Sequence, residues 1–415
     1  MADLPGELVD LIIDHLHEEH APVPHHYGLV SRLWLPRVRH YRFSSLYLEV
    51  AWDARNRFGL YKTQQLLVLA ASPCATFIPH VKVVHIVHQW DVRVDGPVLS
   101  PRQIMRRLEA CGIAPTTLIL DCLRLFSSDA FEGETPPFAG SVKRVEIALD
   151  HAYASVDGIV DFFCAYPGLE AVEVRGEPDK LDVSGTPTST ELPHRLKFVS
   201  TTELSVLEWM CALEPFPPQL RHLELNNLPH PLAPWRKINE CLQGVTAHHL
   251  TAVTLRECRV AWDRAIPDLQ HLRSLTTLTL QSSLTTATDL LLQLLQQDPI
   301  PLPTRSLHHL ILSLDFTSGT LYNQRALSEI DKLLAQPTTF PRLRSLTITS
   351  HNPPGDYLEY NLSVLAADPK IMMPVALALQ AHMPLLSESK VLCVDAERIP
   401  VLQPRTGARG RQRLV

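Results

Sequence analysis

Glycine is scarce in this chain, with 16 residues in 415, and no G-x-x-x-x-G-K-[ST], G-x-G-x-x-G or G-x-S-x-G string occurs. Backbone cradles for phosphates and nucleophile elbows on strained turns are therefore not expected. No two cysteines stand at C-x-x-C spacing. Cys74, Cys111, Cys122, Cys164, Cys211, Cys241, Cys258 and Cys393 are scattered in mostly apolar company, which predicts buried, reduced thiols rather than disulfides or metal ligands. No run reaches the roughly 18 uncharged apolar residues of a membrane span. Cations are not in excess either: Lys+Arg 38 against Asp+Glu 44 gives a formal charge of −6, which argues against a protein that wraps nucleic-acid phosphates. The only string with a metalloprotease flavour is His17-Glu18-Glu19-His20. Its histidines stand at i and i+3, whereas two imidazoles on one zinc need i and i+4. The expectation is a chain without catalytic residues, metal or cofactor. Asp3, Glu7 and Asp10 occupy the region where a secretory leader needs a basic start, so a reducing compartment, cytoplasmic or nuclear, is expected.

What is present is leucine, roughly one residue in six, with 34 prolines, 45% hydrophobic residues and 20% charged ones. That is the composition of a folded globular chain. The leucines recur in an L-x-x-L-x-L spacing that admits Val or Ile. Clear copies begin at Val142, Leu169, Leu220, Leu250, Leu275, Leu307 and Leu343, and weaker ones sit at Val81, Leu118, Leu196 and Leu392. Each copy alternates as a short strand does. Between copies the text reads as helix: Ser100 to Gly112 has a Ser cap, Pro101 at the first helical position and a terminal glycine, and similar stretches run over 155–166, 203–213, 235–242, 288–297 and 325–335. Strand and helix alternating in units of about 25–35 residues predict parallel strands stacked into a repeat array. A closed barrel or a doubly wound sheet is the alternative, since both also alternate strand and helix. Residues 176–193 read as an exposed polar loop, 351–384 as an interruption with helices near 356–366 and 374–382, and 405–413 as a basic tail.

The first fifty residues differ. Leu8, Leu11, Ile12 and Leu16 recur at helical spacing behind Pro5 and Glu7, which favours an amphipathic helix of about three turns. Leu29, Val30, Leu33 and Trp34 form a second apolar stripe, and Pro36 favours a new helix start. Three short helices bury little by themselves, so exposed Leu and Trp on them need a partner surface.

The string Leu4-Pro5-x-Glu7-Leu8-x-x-x-Ile12-x-x-x-Leu16, followed by Gly28-Leu29-Val30-Ser31-Arg32-x-Trp34 and Arg39-His40-Tyr41-Arg42-Phe43, resembles an F-box of the fungal style. The resemblance implies a three-helix motif over residues 1–48 that docks on the Skp adaptor of cullin-based ubiquitin ligases. Leu4, Pro5, Leu8, Ile12, Leu16, Leu29, Val30 and Trp34 would supply the adaptor face or the small core under it. Residues 75–400 resemble degenerate leucine-rich repeats, with Asn226, Asn227 and Cys258 as the positions that could match that family's ladder, and 401–415 form the disordered basic tail. The expected fold class is thus α/β: an N-terminal three-helix F-box followed by an irregular leucine-rich-repeat-like solenoid.

Together these imply an SCF-type substrate receptor, not an enzyme, whose partners are a Skp-type adaptor, a cullin scaffold and an unknown protein substrate, with no nucleic acid and no membrane. Outward strand positions such as Arg144, Glu146, Glu173, His222, Glu224, Thr254, Thr277, Thr279, His309, Ser345 and Thr347 would meet the substrate. A non-degradative adaptor-binding scaffold, a repeat protein with a helical cap, and an enzyme with a helical cap remain alternatives.

Overall fold

The computed structural model describes residues 6–19, 32, 34–49, 57–87, 100–121, 135–149, 154–176, 181–182, 192–202, 205–208, 219–226, 234–243, 249–257, 266–315, 324–350 and 375–394. The chain divides into two compact units, Met1–Val199 with Leu213–Gln219, and Ser200–Ala212 with Leu220–Val415.

The first unit contains α1 (Gly6–Glu19), α2 (Leu35–Phe43), β1 (Ser45–Glu49), α3 (Arg57–Ala70), β2 (Val83–Val87), α4 (Pro101–Ala110), β3 (Thr117–Asp121), β4 (Arg144–Ala148), α5 (Val156–Cys164) and β5 (Ala171–Arg175). It ends within β6 (Phe198–Thr201), through which the unit boundary runs. Strands β1 to β5 lie side by side in chain order and are parallel throughout. The second unit contains β7 (His222–Asn226), α6 (Pro234–Gln243), β8 (Ala252–Arg256), β9 (Thr277–Ser283), α7 (Leu284–Gln296), β10 (His309–Asp315), α8 (Gln324–Leu334), β11 (Ser345–Ser350), α9 (Val375–His382), α10 (Pro384–Glu388) and β12 (Leu392–Val394). Strands β7 to β12 are again parallel and sequential.

The repeat spacing explains this order. In each clear copy the first apolar residue lies in the turn ahead of the strand and the next two point inward along it. Leu307, Leu310 and Leu312 are all completely buried, as are Leu275 and Leu278. Parallel register then stacks Leu225, Leu255, Leu280, Leu312 and Ile348 in one row, each side chain worth about 1.5–3 kcal/mol on burial. Helices close each unit from the inward side of the strands. Helix α7, capped by Ser283 through the Thr286 N–H, turns Leu284, Leu291, Leu294 and Leu295 into the core. Helix α4 carries the full capping box of Ser100 and Gln103, and Gly112 follows it at φ 85, the left-handed conformation that ends a helix.

Neither unit is a closed barrel. Among the described residues β1 and β12 each have a strand neighbour on one side only. Neither unit is doubly wound, because strand order nowhere reverses, and a doubly wound sheet needs such a reversal. Every clear and weak copy coincides with a strand. The copy at Leu196 is shifted, however: Val199 rather than Phe198 fills the inward position, and Phe198 lies on the outer side with the Arg144 guanidinium 5.8 Å from its ring centroid. Strand β1, with Leu46 and Leu48 buried, begins at Ser45, inside the stretch that resembles an F-box. Helices α3 and α10 also stand where no helix was expected. In the 176–193 stretch, Leu181–Asp182 pairs with Ala154–Ser155. The expected helix over 356–366, the segment 20–31 that would complete the three-helix motif, and the tail 401–415 lie outside the described residues. Cys74 and Cys393 are exposed rather than buried, and Cys111 and Cys164 are half-buried free thiols.

Candidate functional site

Helices α1 and α2 pack through a core of three residues, Val9, Ile13 and Val38, with Trp34 and Tyr41 half-buried against it. Val9 and Ile13 are one helical turn apart, so they share a face. Leu8, Leu11 and Ile12 share the neighbouring face and are left uncovered, at 46%, 63% and 38% exposure. The amphipathic stripe read from sequence is therefore split. Leu8 and Ile12 point away from α2, Leu16 is half-buried, and the α2-facing side is made by Val9 and Ile13, which the i, i+4 count from Leu8 and Leu11 passed over. Of the remaining anchors, Trp34 joins the small core, while Leu4, Pro5, Leu29 and Val30 lie outside the described residues.

A polar clasp holds the same two helices. The Arg37 guanidinium donates to Asp14 from Nε at 2.7 Å and from Nη2 at 2.6 Å, and the Tyr41 hydroxyl donates to Asp14 Oδ1 at 2.8 Å. The hydrogen bond from Arg37 holds the Asp14 carboxyl below its ordinary value of 3.8, against the opposing effect of burial. A depressed folded-state pKa contributes stability that is complete above the ordinary carboxylate range and is lost as pH falls through the folded value. Asp14→Asn is therefore expected to loosen α1 from α2 at neutral pH by about 1 kcal/mol, since both side chains are partly solvated. Hydrogen exchange of the α1 amides should show the faster exchange at pH 7 and a smaller difference from the parent below pH 3.8.

The outer side of the strands carries the second candidate surface. In the first unit, register aligns Tyr47, His85, Ile119, Glu146 and Glu173 in one row. Tyr47 meets the His85 ring edge-on at 4.9 Å, and His85 Nε2 lies 2.9 Å from Asp121 Oδ2. Glu146 and Glu173 are directly opposed, and two arginines bracket them. Arg144 donates to Glu146 at 2.7 Å and to Glu173 at 2.9 Å, and Arg175 donates to Glu173 at 2.6 Å. In the second unit the imidazole of His222 lies 3.0 Å from Thr254 Oγ1, and Arg256 bridges Glu224 at 3.2 Å and Gln281 at 3.1 Å. His309 Nδ1 lies 2.9 Å from Ser345 Oγ. Burial pushes the His222 imidazole below its usual value.

This corrects the expectation that every outward strand residue is free to meet a partner. Glu173, Glu224 and Thr254 are buried, at 4%, 8% and 7% exposure. Strands about 4.8 Å apart place outward side chains against one another, so those in the middle of the row are covered by their neighbours. Arg144, Glu146, His222, Thr277, Thr279, His309, Ser345 and Thr347 remain half-exposed, and Arg175, which sequence reading passed over, is the exposed member of the four-residue cluster. Asn226, one of the candidate ladder positions, is buried and donates to Ser200 Oγ at 2.8 Å. Asn227 and Cys258 lie outside the described residues.

A cleft of about 1110 Å³ in the first unit is lined by Leu67, Val68, Ile78, Arg107, Cys111 and small neighbours, and among the described residues no carboxylate or imidazole lines it. Among the described residues no group of three or more His, Cys, Asp or Glu could hold a metal ion, and no helix is long and apolar enough to cross a membrane. No protein-family profile matches the chain, and no curated protein matches it.

Proposed function

We propose that the chain is a substrate receptor of a cullin-based ubiquitin ligase, with α1 and α2 acting as an F-box-like dock for a Skp-type adaptor. The leucine-rich strands would form a repeat array that holds the protein to be ubiquitinated. The observation that carries this reading is the uncovered row of Leu8, Leu11 and Ile12 on a helix whose other apolar face is already satisfied by α2. Apolar side chains at i, i+3 and i+4 on one exposed face are the pattern by which a helix enters a partner's groove. Sequential parallel strands with helices between them support a solenoid of irregular repeats, the architecture that offers an extended binding surface. The receptor performs no bond chemistry in this reading. It acts by position, raising the effective concentration of substrate lysines near a charged conjugating enzyme.

The test is a pull-down with purified Skp adaptor, comparing the intact chain with Leu8→Asp and Trp34→Ala. Leu8 is already solvent-facing, so Leu8→Asp should leave the circular dichroism unchanged while weakening adaptor binding by about 30-fold, the effect of losing one interface anchor. Trp34→Ala should weaken it less, through loosening of the core under α1. If the intact chain does not bind adaptor, the ligase reading fails.

A further inference from the structure

The turns that lead into the strands of the second unit carry a line of unpaired cations. Backbone hydrogen bonds tie Thr251 to Arg221, Thr276 to Thr251, His308 to Thr276 and Arg344 to His308, at 2.8 to 2.9 Å. These five residues therefore stand abreast at about 4.8 Å per strand, a row of roughly 19 Å. Arg273, Arg305 and Arg342 lie in the turns immediately ahead of Thr276, His308 and Arg344. All five arginines, Arg221, Arg273, Arg305, Arg342 and Arg344, are exposed, and among the described residues none of them has an ion pair.

Among the described residues the carboxylates in the turns ahead of β7 to β11 are Asp268, which is engaged by His271 at 3.6 Å and by Gln270, and Asp298, and Glu388 stands ahead of β12. The first unit treats the corresponding line differently: there Glu170 stands between Lys143 and Lys197 and pairs with them at 3.7 and 2.8 Å. Burial first, and then the neighbouring Arg344, His309 and Arg342, push the His308 imidazole below its usual value. In a chain of formal charge −6, a cationic edge left without counter-charges is a departure from the rest of the molecule.

We propose that this arginine edge of the second unit is a docking surface for an extended, carboxylate-rich segment of a partner protein. Three features favour that occupant. The cations are spread along a line instead of converging on a point, and an extended segment of about six residues, at 3.3–3.4 Å per residue, spans that length. Among the described residues the exposed Lys and Arg side chains at and ahead of the starts of β7 to β11 are all arginines, whose planar forks pair carboxylates bidentately, with Lys390 following ahead of β12. Among the described residues these turns hold no exposed Phe, Tyr or Trp, only the small rings of His249 and His271, and the net negative charge of the whole chain opposes a long phosphate backbone. The charge argument stands without the adaptor. Only the naming of that partner as a ubiquitination substrate rests on the receptor reading, which it deepens.

The experiment uses the full chain without adaptor, so that its failure is separate from failure of the ligase reading. Fluorescence anisotropy is measured with a labelled Glu-Gly repeat peptide, the matching Gln-Gly peptide and an oligothymidine of similar length. The Glu-Gly peptide should bind and the Gln-Gly peptide should not, with affinity falling as salt is raised. Arg342→Glu with Arg344→Glu should weaken binding by about tenfold or more, whereas Lys332→Glu, on the exposed side of α8, should change it by less than about twofold. If the charge reversal disturbs the fold, Arg342→Gln with Arg344→Gln gives the same direction with a smaller loss. Absence of Glu-Gly binding at low salt, equal loss in Lys332→Glu, or tighter binding of the oligothymidine would each overturn the proposal.

Discussion

Replacing Asp331 by alanine is expected to detach the C-terminal helices of the second unit and to cost about 3–4 kcal/mol. Asp331 lies on α8 at 2% exposure and its two carboxylate oxygens accept the first free amides of α10, Leu385 N–H at 3.0 Å and Leu386 N–H at 2.9 Å. Hydrogen bonds to a charged group are each worth about 1.5–3 kcal/mol, and removing the acceptor leaves the Leu386 N–H buried without a partner while the Leu385 N–H is only partly covered. The positive end of the helix backbone adds to the attraction. Asp331→Asn keeps one acceptor oxygen and loses the charge, so it should cost roughly half as much. Urea unfolding should show the shift in midpoint. Hydrogen exchange should localise it to the amides of Leu385, Leu386 and Ser387, and unchanged exchange there in Asp331→Ala would refute the assignment.

The second large effect is an asymmetry within the Arg144, Glu146, Glu173, Arg175 cluster. Removing both arginines should be far worse than removing one glutamate. Glu173 is 5% exposed at its side chain, while Arg144 and Arg175 are 43% and 57% exposed. If Glu173 is replaced by Gln, the arginines turn toward water, so the loss should be about 1 kcal/mol. If Arg144 and Arg175 are both replaced by Ala, Glu146 and Glu173 are left opposed across neighbouring strands, one of them buried without a cation. Breaking a buried pair from that side costs about 3–5 kcal/mol, and directly opposed like charges add to it. Guanidinium chloride would mask these charges, so the comparison belongs in urea. Equal midpoints for the single and double variants would show that the cluster is only a solvated surface feature.

Strands β2 to β12 were legible in sequence because each clear copy puts three apolar residues on one side at fixed spacing, and burying them leaves few other pairings, whereas β1 carries no copy and was not legible. Parallel order was legible because helical text separates the copies. The shift at Phe198 was not, because a two-residue match, Leu196-x-Phe198, cannot distinguish the inward position from the outward one, and a one-residue slip exchanges them. The missed helix α10 is five residues long and is held by Asp331 from more than fifty positions away, which no local pattern contains. On α1, the apolar stripe announced an amphipathic helix, but which edge of it would be covered depends on where Val38 and the Asp14 to Arg37 clasp draw α2. The buried outward residues Glu173 and Glu224 were unreadable for a related reason: alternation gives a side chain its direction, and cross-strand neighbours decide its exposure.

The order of the strands also bears on how the chain is made. Along β1 to β5 and β7 to β12 each strand bonds to the one before it in the series, with register partners as close as Ala252 to Thr277 and as far as Leu346 to Leu392. At roughly 5–20 residues per second, a new strand would leave the ribosome within seconds of its neighbour. The next edge would then be waiting for it, so growth could proceed outward from what had already formed. No strand in either unit needs a partner from the far end of the message. A pause or truncation partway through synthesis would leave a shorter stack with one raw edge in place of a scrambled core.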